Sequence, residues 1–384
     1  MATKADSFSK LPKVGTTIFT VMSQLSHEHK AINLAQGFPD FPCSEKLISL
    51  VNEYMRKGFN QYAPMAGILP LREKISHKTK ELYNAEYDPH TEITVTCGAT
   101  EACYAAITSL VRLGDEVIIF EPAFDCYIPV IELSGGVPVF VELHYPDYKI
   151  NWKQVEEKIS SRTRMIIINS PHNPTGSVLS SEDLDQLSRV VRGTGILIMS
   201  DEVYEHIIFD HTRHESVLLR PELRERSLVI SSFGKTFHTT GWRMGYCLAP
   251  AHLSTEFRKA HQFITFSAPT PMQFALADYL EEKDMYLGLP AFYQKKRDLF
   301  AALMKDSRFE FVPSAGTYFQ LMSYKKISDE HDVDLAKRLT IEAGVASIPV
   351  SVFYHQRTDE HILRFCFAKE EETLKRAAEK LCRI

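Results

Sequence analysis

Three side chains of different chemistry stand just beyond three apolar runs near the middle of the chain. Asn173 follows the run 165–169, Asp201 follows 196–200, and Lys235 lies a few residues past 228–231. If these runs are neighbouring strands, an amide, a carboxylate and an amine meet in one region, where open α/β sheets bind their ligands. That set does not by itself name a cofactor, because loops after strands are commonly polar.

The elements that must position them follow from the apolar pattern. Runs rich in β-branched residues occur at 93–95, 116–120, 137–141, 165–169, 196–200, 228–231 and 245–248. Several are apolar on consecutive rather than alternate residues, which marks strands buried on both faces in a mostly parallel sheet covered by helices. Residues 101–111 carry apolar side chains at helical spacing between two such runs, making a βαβ unit. After about Pro269 helical patterns dominate, at 273–280 and 295–304. Short strands follow near 318–322 and 362–367, and a closing helix spans 371–381. The pattern predicts an N-terminal arm over 1–41, a large domain over 42–272 and a smaller α+β domain over 273–384, with the arm packed on the small domain.

Length and composition agree with two domains of ordinary size: 384 residues, 44% hydrophobic, 24% charged and 11% aromatic. A formal net charge of −5 with no polybasic run gives no electrostatic reason to expect nucleic acid or an anionic membrane surface as partner. No stretch approaches the roughly 20 apolar residues of a membrane span. The seven cysteines (Cys43, Cys97, Cys103, Cys126, Cys247, Cys366 and Cys382) form no C-x-x-C pair. Their odd number predicts reduced thiols in a cytoplasm rather than a disulfide framework or a structural zinc site. Residues 1–12 contain Asp6, no long apolar run and no arginine, and read as neither signal nor transit peptide.

Other motifs that share these residues fail on inspection. Ser232 and Lys235 satisfy the S-x-x-K spacing of penicillin-recognising hydrolases, but no S-D-N element follows and Lys235-Thr236 continues into Phe237. Gly234-Lys235-Thr236 ends like a P-loop, yet the first glycine would fall at Val229. Gly193 and Gly195 could open a dinucleotide fingerprint, but its third glycine would be Ile198, and a strand follows rather than precedes it.

Several ordered blocks together are more specific. Ser232-Phe233-Gly234-Lys235-Thr236 and Gly241-Trp242-Arg243-Met244-Gly245 resemble the lysine signature of class I aminotransferases. His172-Asn173-Pro174-Thr175-Gly176, Asp201-Glu202-Val203-Tyr204, Gly98-Ala99-Thr100 and Tyr62-Ala63-Pro64 resemble other blocks of that family, and the likeness runs from about Asn33 to Phe367. A finer likeness, to the methionine aminotransferase and kynurenine aminotransferase (glutamine transaminase K) group, is carried by Gln36-Gly37-Phe38-Pro39-Asp40 and Phe124-Asp125-Cys126-Tyr127. The resemblance implies the aspartate aminotransferase fold (fold type I): a large domain with a mostly parallel seven-stranded sheet, and a smaller α+β domain. It implies pyridoxal 5′-phosphate as cofactor, amino acids and 2-oxo acids as substrates, and a homodimer with shared active sites.

It also implies roles for single residues, each beside an ordinary alternative. Lys235 would join the cofactor aldehyde and then act as base, where most lysines are solvated surface residues. Asp201 would keep the pyridine nitrogen protonated; otherwise it caps a helix. Tyr204 and Asn173 would bond the ring oxygen, against a packed aromatic on a helix and a turn residue before Pro174. Arg243, Ser232 and the amides of Ala99 and Thr100 after Gly98 would hold the phosphate, aided by Tyr62 of the neighbouring subunit. Phe124 would stack on the ring, although a phenylalanine is usually plain core. Arg364, between apolar residues of a strand, would grip the substrate α-carboxylate; the alternative is an edge arginine facing water. Ile18, Gly37, Phe38 and Tyr62, with Phe266 from the partner subunit, would line the side-chain pocket. That lining is apolar and contains no arginine for a second carboxylate. Methionine, aromatic amino acids and glutamine are therefore expected over aspartate. Cysteine-conjugate β-lyase chemistry is the nearest alternative, and a non-catalytic binding protein of the same fold is a more distant one.

Overall fold

The computed structural model describes residues 9–384. Residues 1–8, most of the stretch read above for targeting signals, lie outside the described residues. In chain order the described strands are β1 Ile32–Asn33, β2 Ile93–Thr96, β3 Glu116–Glu121, β4 Val137–Glu142, β5 Thr163–Asn169, β6 Leu197–Asp201, β7 Ser227–Ser232, β8 Gly245–Leu248, β9 Phe319–Ser323, β10 Val345–Ala346, β11 Ile348–Pro349 and β12 Ile362–Cys366.

All seven apolar runs of the central region become strands of one sheet, ordered β2-β8-β7-β6-β5-β3-β4. The pairings among β3, β4, β5, β6 and β7 are parallel, while β8 runs antiparallel to both β2 and β7. Continuous apolarity has its expected cause. β2, β3, β6 and β8 have no residue open to solvent, so they are covered on both faces. The helix Ala99–Leu110 buries Ala102, Ala105 and Ala106 against the sheet, and these small side chains let it lie close to β7 and β8. Register then aligns the chemistry. Asn169 pairs with Asp201, and Asp201 with Ile230, so the loops after β5, β6 and β7 leave the same edge side by side.

One local expectation is corrected. No helix follows Asp201, which is itself the last residue of β6; Val203–His206 form turns. The Asp201 carboxylate accepts from the Val203 amide at 3.4 Å, a local bond that competes with helix formation. Ile208 then bridges to Gly316, which draws the chain into extended backbone.

A separate three-stranded antiparallel sheet, β11-β12-β9, places β12 at its centre, and β1 pairs in parallel with β10. Chain before Pro42 is thereby tied to the C-terminal elements: the Cys366 amide donates to the Leu34 carbonyl at 2.8 Å, and Asp40 accepts from the Glu370 amide at 2.6 Å. No described helix is long and apolar enough to cross a membrane.

Candidate active site

β7 runs directly into a one-turn helix, Phe233–Thr236, which carries Lys235. Gly234 eases this close approach, because a Cβ would sit 3.1 Å from the Thr240 Cα. The Lys235 amine donates to the Tyr318 hydroxyl at 3.0 Å and the Gly37 carbonyl at 3.3 Å. It lies 5.5 Å from the ring centres of both Tyr204 and Tyr318. Burial, helped by the positive charges of Arg364 and Arg243, lowers its pKa to about 8.

Asp201 is buried at the end of β6. Its carboxylate accepts from the Tyr127 hydroxyl at 2.5 Å and, among the described residues, has no cation within hydrogen-bond distance. Burial raises its pKa to about 6, against the pull of the Tyr127 bond. Asn169 links the next strand: its amide nitrogen donates to the Asp201 carbonyl at 2.8 Å, and its side-chain oxygen accepts from the Asn173 amide at 2.8 Å. Tyr204 packs edge-on to Tyr318 at 5.1 Å, and burial pushes its hydroxyl well above the usual phenol range.

Glycine and arginine build the third wall. Gly98, at φ +83°, precedes the helix Ala99–Leu110, and a Cβ on it would lie 2.7 Å from the Arg243 guanidinium. Arg243 is itself left-handed at φ +54° and donates to the Thr240 carbonyl at 2.9 Å. Gly245 must lack a side chain, because a Cβ would meet the Ala99 amide nitrogen at 2.9 Å. The first turn of a helix, with its unsatisfied amides, thus opens beside a guanidinium.

Arg364 stands mid-strand in β12 and is 1% exposed, so it is no edge arginine facing water. It donates to the Asn173 side-chain oxygen at 2.7 Å and the Ala35 carbonyl at 3.1 Å. The rings of Phe319, Phe19 and Phe353 lie 3.9, 5.2 and 5.7 Å from its guanidinium carbon. Among the described residues its Nε has no partner. Burial lowers its pKa to about 10.

One cavity is lined by Ala99, Thr100, Phe124, Asn173, Asp201, Tyr204, Ser232, Lys235 and Arg243, together with Asn169 and Val203. Gly98 backs it through Arg243, Gly37 touches it through Lys235, and Arg364 joins it through Asn173. Ile18 is partly buried on the core, and Phe38 is 44% exposed at the rim of the small sheet, under the Lys369 amine. Tyr62 and Phe266 do not line the cavity. They are 84% and 44% exposed and stack edge-on at 5.4 Å on the surface of one chain. Tyr127 and Tyr318 carry hydrogen bonds to Asp201 and Lys235 that no spacing argument identified. Tyr127 stood within the quoted Phe124 block, whereas nothing around Tyr318 in the sequence marks it.

Known proteins match along nearly the whole chain. The family model described as "Aminotransferase class I and II" matches residues 29–381. The methionine aminotransferase of Escherichia coli (strain K12) is 50% identical over 374 residues, covering 97% of both chains. A kynurenine–oxoglutarate transaminase of Dictyostelium discoideum is 35% identical, over 96% of this chain and 94% of its own. The crystal structure of an Escherichia coli protein reported to have a methionine aminotransferase function superposes with a TM-score of 0.97. It is 49% identical, over 99% of this chain and 100% of that one. On its sequence and its fold alike, this chain belongs to the class I and II aminotransferases.

Proposed function

We propose that this aminotransferase moves the amino group of methionine, aromatic amino acids or glutamine to a 2-oxo acid by a ping-pong reaction, using pyridoxal 5′-phosphate held at Lys235. The observation that carries this reading is the convergence of Lys235, Asp201, Tyr204, Asn173, Ser232 and Arg243 on one cavity. The donor set suits the cofactor. A Cβ on Gly98 would meet the Arg243 guanidinium, and the helix Ala99–Leu110 opens at the next residue, a fitting setting for a phosphate. A buried carboxylate without a cation suits a protonated ring nitrogen. When bound, the cofactor supplies a carbonyl carbon for the amino nitrogen and a ring that accepts the electron pair released at the substrate α-carbon.

The chain's own residues do the rest. Lys235, with its pKa lowered to about 8, is available as a neutral amine that takes the α-proton and passes it on. Asp201, its carboxylate held by the Tyr127 hydroxyl, would face the ring nitrogen as its counter-ion. Tyr204 and Asn173, which line the cavity, would donate to the ring oxygen, and Phe124 would pack on the ring face. Arg364, with one buried N–H unpartnered, clamps the substrate α-carboxylate as a fork. Ile18, Gly37 and Phe38, with Tyr62 and Phe266 of a second subunit, select the side chain. The exposed ring pair of Tyr62 and Phe266 supports a homodimer with shared sites, because such patches favour burial.

Borohydride reduction followed by peptide mapping tests the cofactor assignment; a pyridoxyl adduct on a lysine other than Lys235 defeats it. Rates over methionine, phenylalanine, glutamine, kynurenine and aspartate test the substrate assignment, and a preference for aspartate defeats it. Mixing inactive Lys235→Ala and Tyr62→Ala chains tests sharing: a verified heterodimer should regain activity.

A further inference from the structure

The end of β6 and the turn after it, which carry Asp201 and Tyr204, are gripped from behind by a second set of buried charges. Asp201, Val203 and Tyr204 line the cavity, whereas Glu202 and Glu205 find their partners elsewhere. Glu202 accepts from the Ser200 hydroxyl at 2.7 Å and the Val217 amide at 3.3 Å, and lies 2.8 Å from His214 Nε2. Glu205 accepts from the Lys78 amine at 2.7 Å and the Tyr83 hydroxyl at 2.6 Å. The Tyr246 hydroxyl completes the set, 3.0 Å from Lys78 and 3.3 Å from Glu205. Lys78 and Tyr83 belong to the helix Leu69–Tyr83, and Tyr246 to β8. The turn is therefore tied to two elements that do not carry its cavity-facing residues.

The side chains of Lys78 and Glu205 are only 6% and 5% exposed. Although burial opposes both charges, mutual attraction wins: the Glu205 carboxyl is held well below its usual range and the Lys78 amine well above. His206, beside them, is neutral, because burial and Lys78 lower its pKa to about 3. A buried ion pair is often no more stabilising than apolar residues of the same volume. What it adds is direction, since three donors converge on a carboxylate adjacent to Tyr204.

We infer that Glu205, anchored by Lys78, Tyr83 and Tyr246, is a positioning residue that fixes Tyr204 and Asp201 toward the cofactor ring. The inference rests on the ring contacts proposed above for those two residues. Four variants test it: Lys78→Met, Glu205→Gln, the double variant Lys78→Met/Glu205→Gln, and Tyr83→Phe. The measurements are Tm without cofactor, the dissociation constant of pyridoxal phosphate, the pH midpoint of the bound-cofactor absorbance, and kcat and KM for methionine. Each single charge variant should lower Tm, because one buried charge is left alone, and the double variant should regain most of it. Charge balance returns in the double variant but anchoring does not. Its pH midpoint should stay displaced, and kcat should stay down about tenfold with KM within about twofold. Tyr83→Phe, which removes one donor and no charge, should displace the midpoint less and in the same direction. An unmoved midpoint in both Tyr83→Phe and the double variant overturns the inference, whatever Tm does. Asp201→Asn is the control: if it too leaves the midpoint unmoved, the ring contact itself is misassigned.

Discussion

Lys235 and Lys78 both stand on helices with their amines withdrawn from solvent, yet their surroundings are opposite. Lys78 meets a carboxylate at 2.7 Å and a phenol at 3.0 Å, and its proton is held more tightly than in water. Lys235 meets a phenol and a backbone carbonyl, with two arginines contributing positive potential, and its pKa falls to about 8. Burial opposes the charge of both. The partner decides the outcome: a carboxylate turns a buried amine into a fixed cation, and its absence leaves a reactive base. The two carboxylates mirror this. Glu205, with its lysine, stays ionised, while Asp201, without a cation, is raised to about 6.

The sharpest break of this contrast is the loss of each amine. Lys235→Ala should abolish turnover and the borohydride-trapped pyridoxyl adduct, whereas Lys78→Met should keep the adduct on Lys235. Peptide mapping of both reduced proteins decides it.

Asp201→Asn should lower kcat by on the order of a hundredfold or more, because the charge proposed to face the ring nitrogen is gone. It should also stabilise the cofactor-free protein at pH 8. The carboxyl pKa is raised on folding, from 3.8 to about 6. Its favourable contribution is thus complete below pH 3.8 and lost as pH rises through about 6. That difference corresponds to roughly 3 kcal/mol, and the Tyr127 hydroxyl can still donate to an amide oxygen. Thermal melts should show the gain at pH 8 and its disappearance near pH 4.

Arg364→Lys should cost roughly a hundredfold in kcat/KM, similarly for methionine, phenylalanine and glutamine, because an ammonium cannot replace the fork. Phe38→Ala should instead change their rank order. Steady-state kinetics on both variants would show the reverse if clamp and pocket were misassigned.

The smallest effect concerns rate alone. Reconstitution of cofactor-free protein needs the neutral Lys235 amine, so its rate should rise with pH and level off above about 8. A rate still climbing at pH 10 would mean that Lys235 titrates like a surface lysine.

The central sheet and its occupants were readable from the chain alone. Uninterrupted apolar runs favour strands, and all seven became strands of one sheet, although β4 at its edge stays partly open to solvent. Lys235, Asp201 and Asn173 were legible because each lies within four residues of the end of such a run, and strand ends in a parallel sheet share one edge. The turn after Asp201 was less legible, because the competing side-chain bond to Val203 is a matter of local geometry. Which buried charges are paired depends on how distant segments fold together. Nothing near Glu205 in sequence announces Lys78, 127 residues away, nor does Asp201 announce Tyr127. Hydrogen bonds and desolvation act over a few ångströms of space, so the same amine or carboxylate becomes an anchor or a reagent according to which distant segment folds against it.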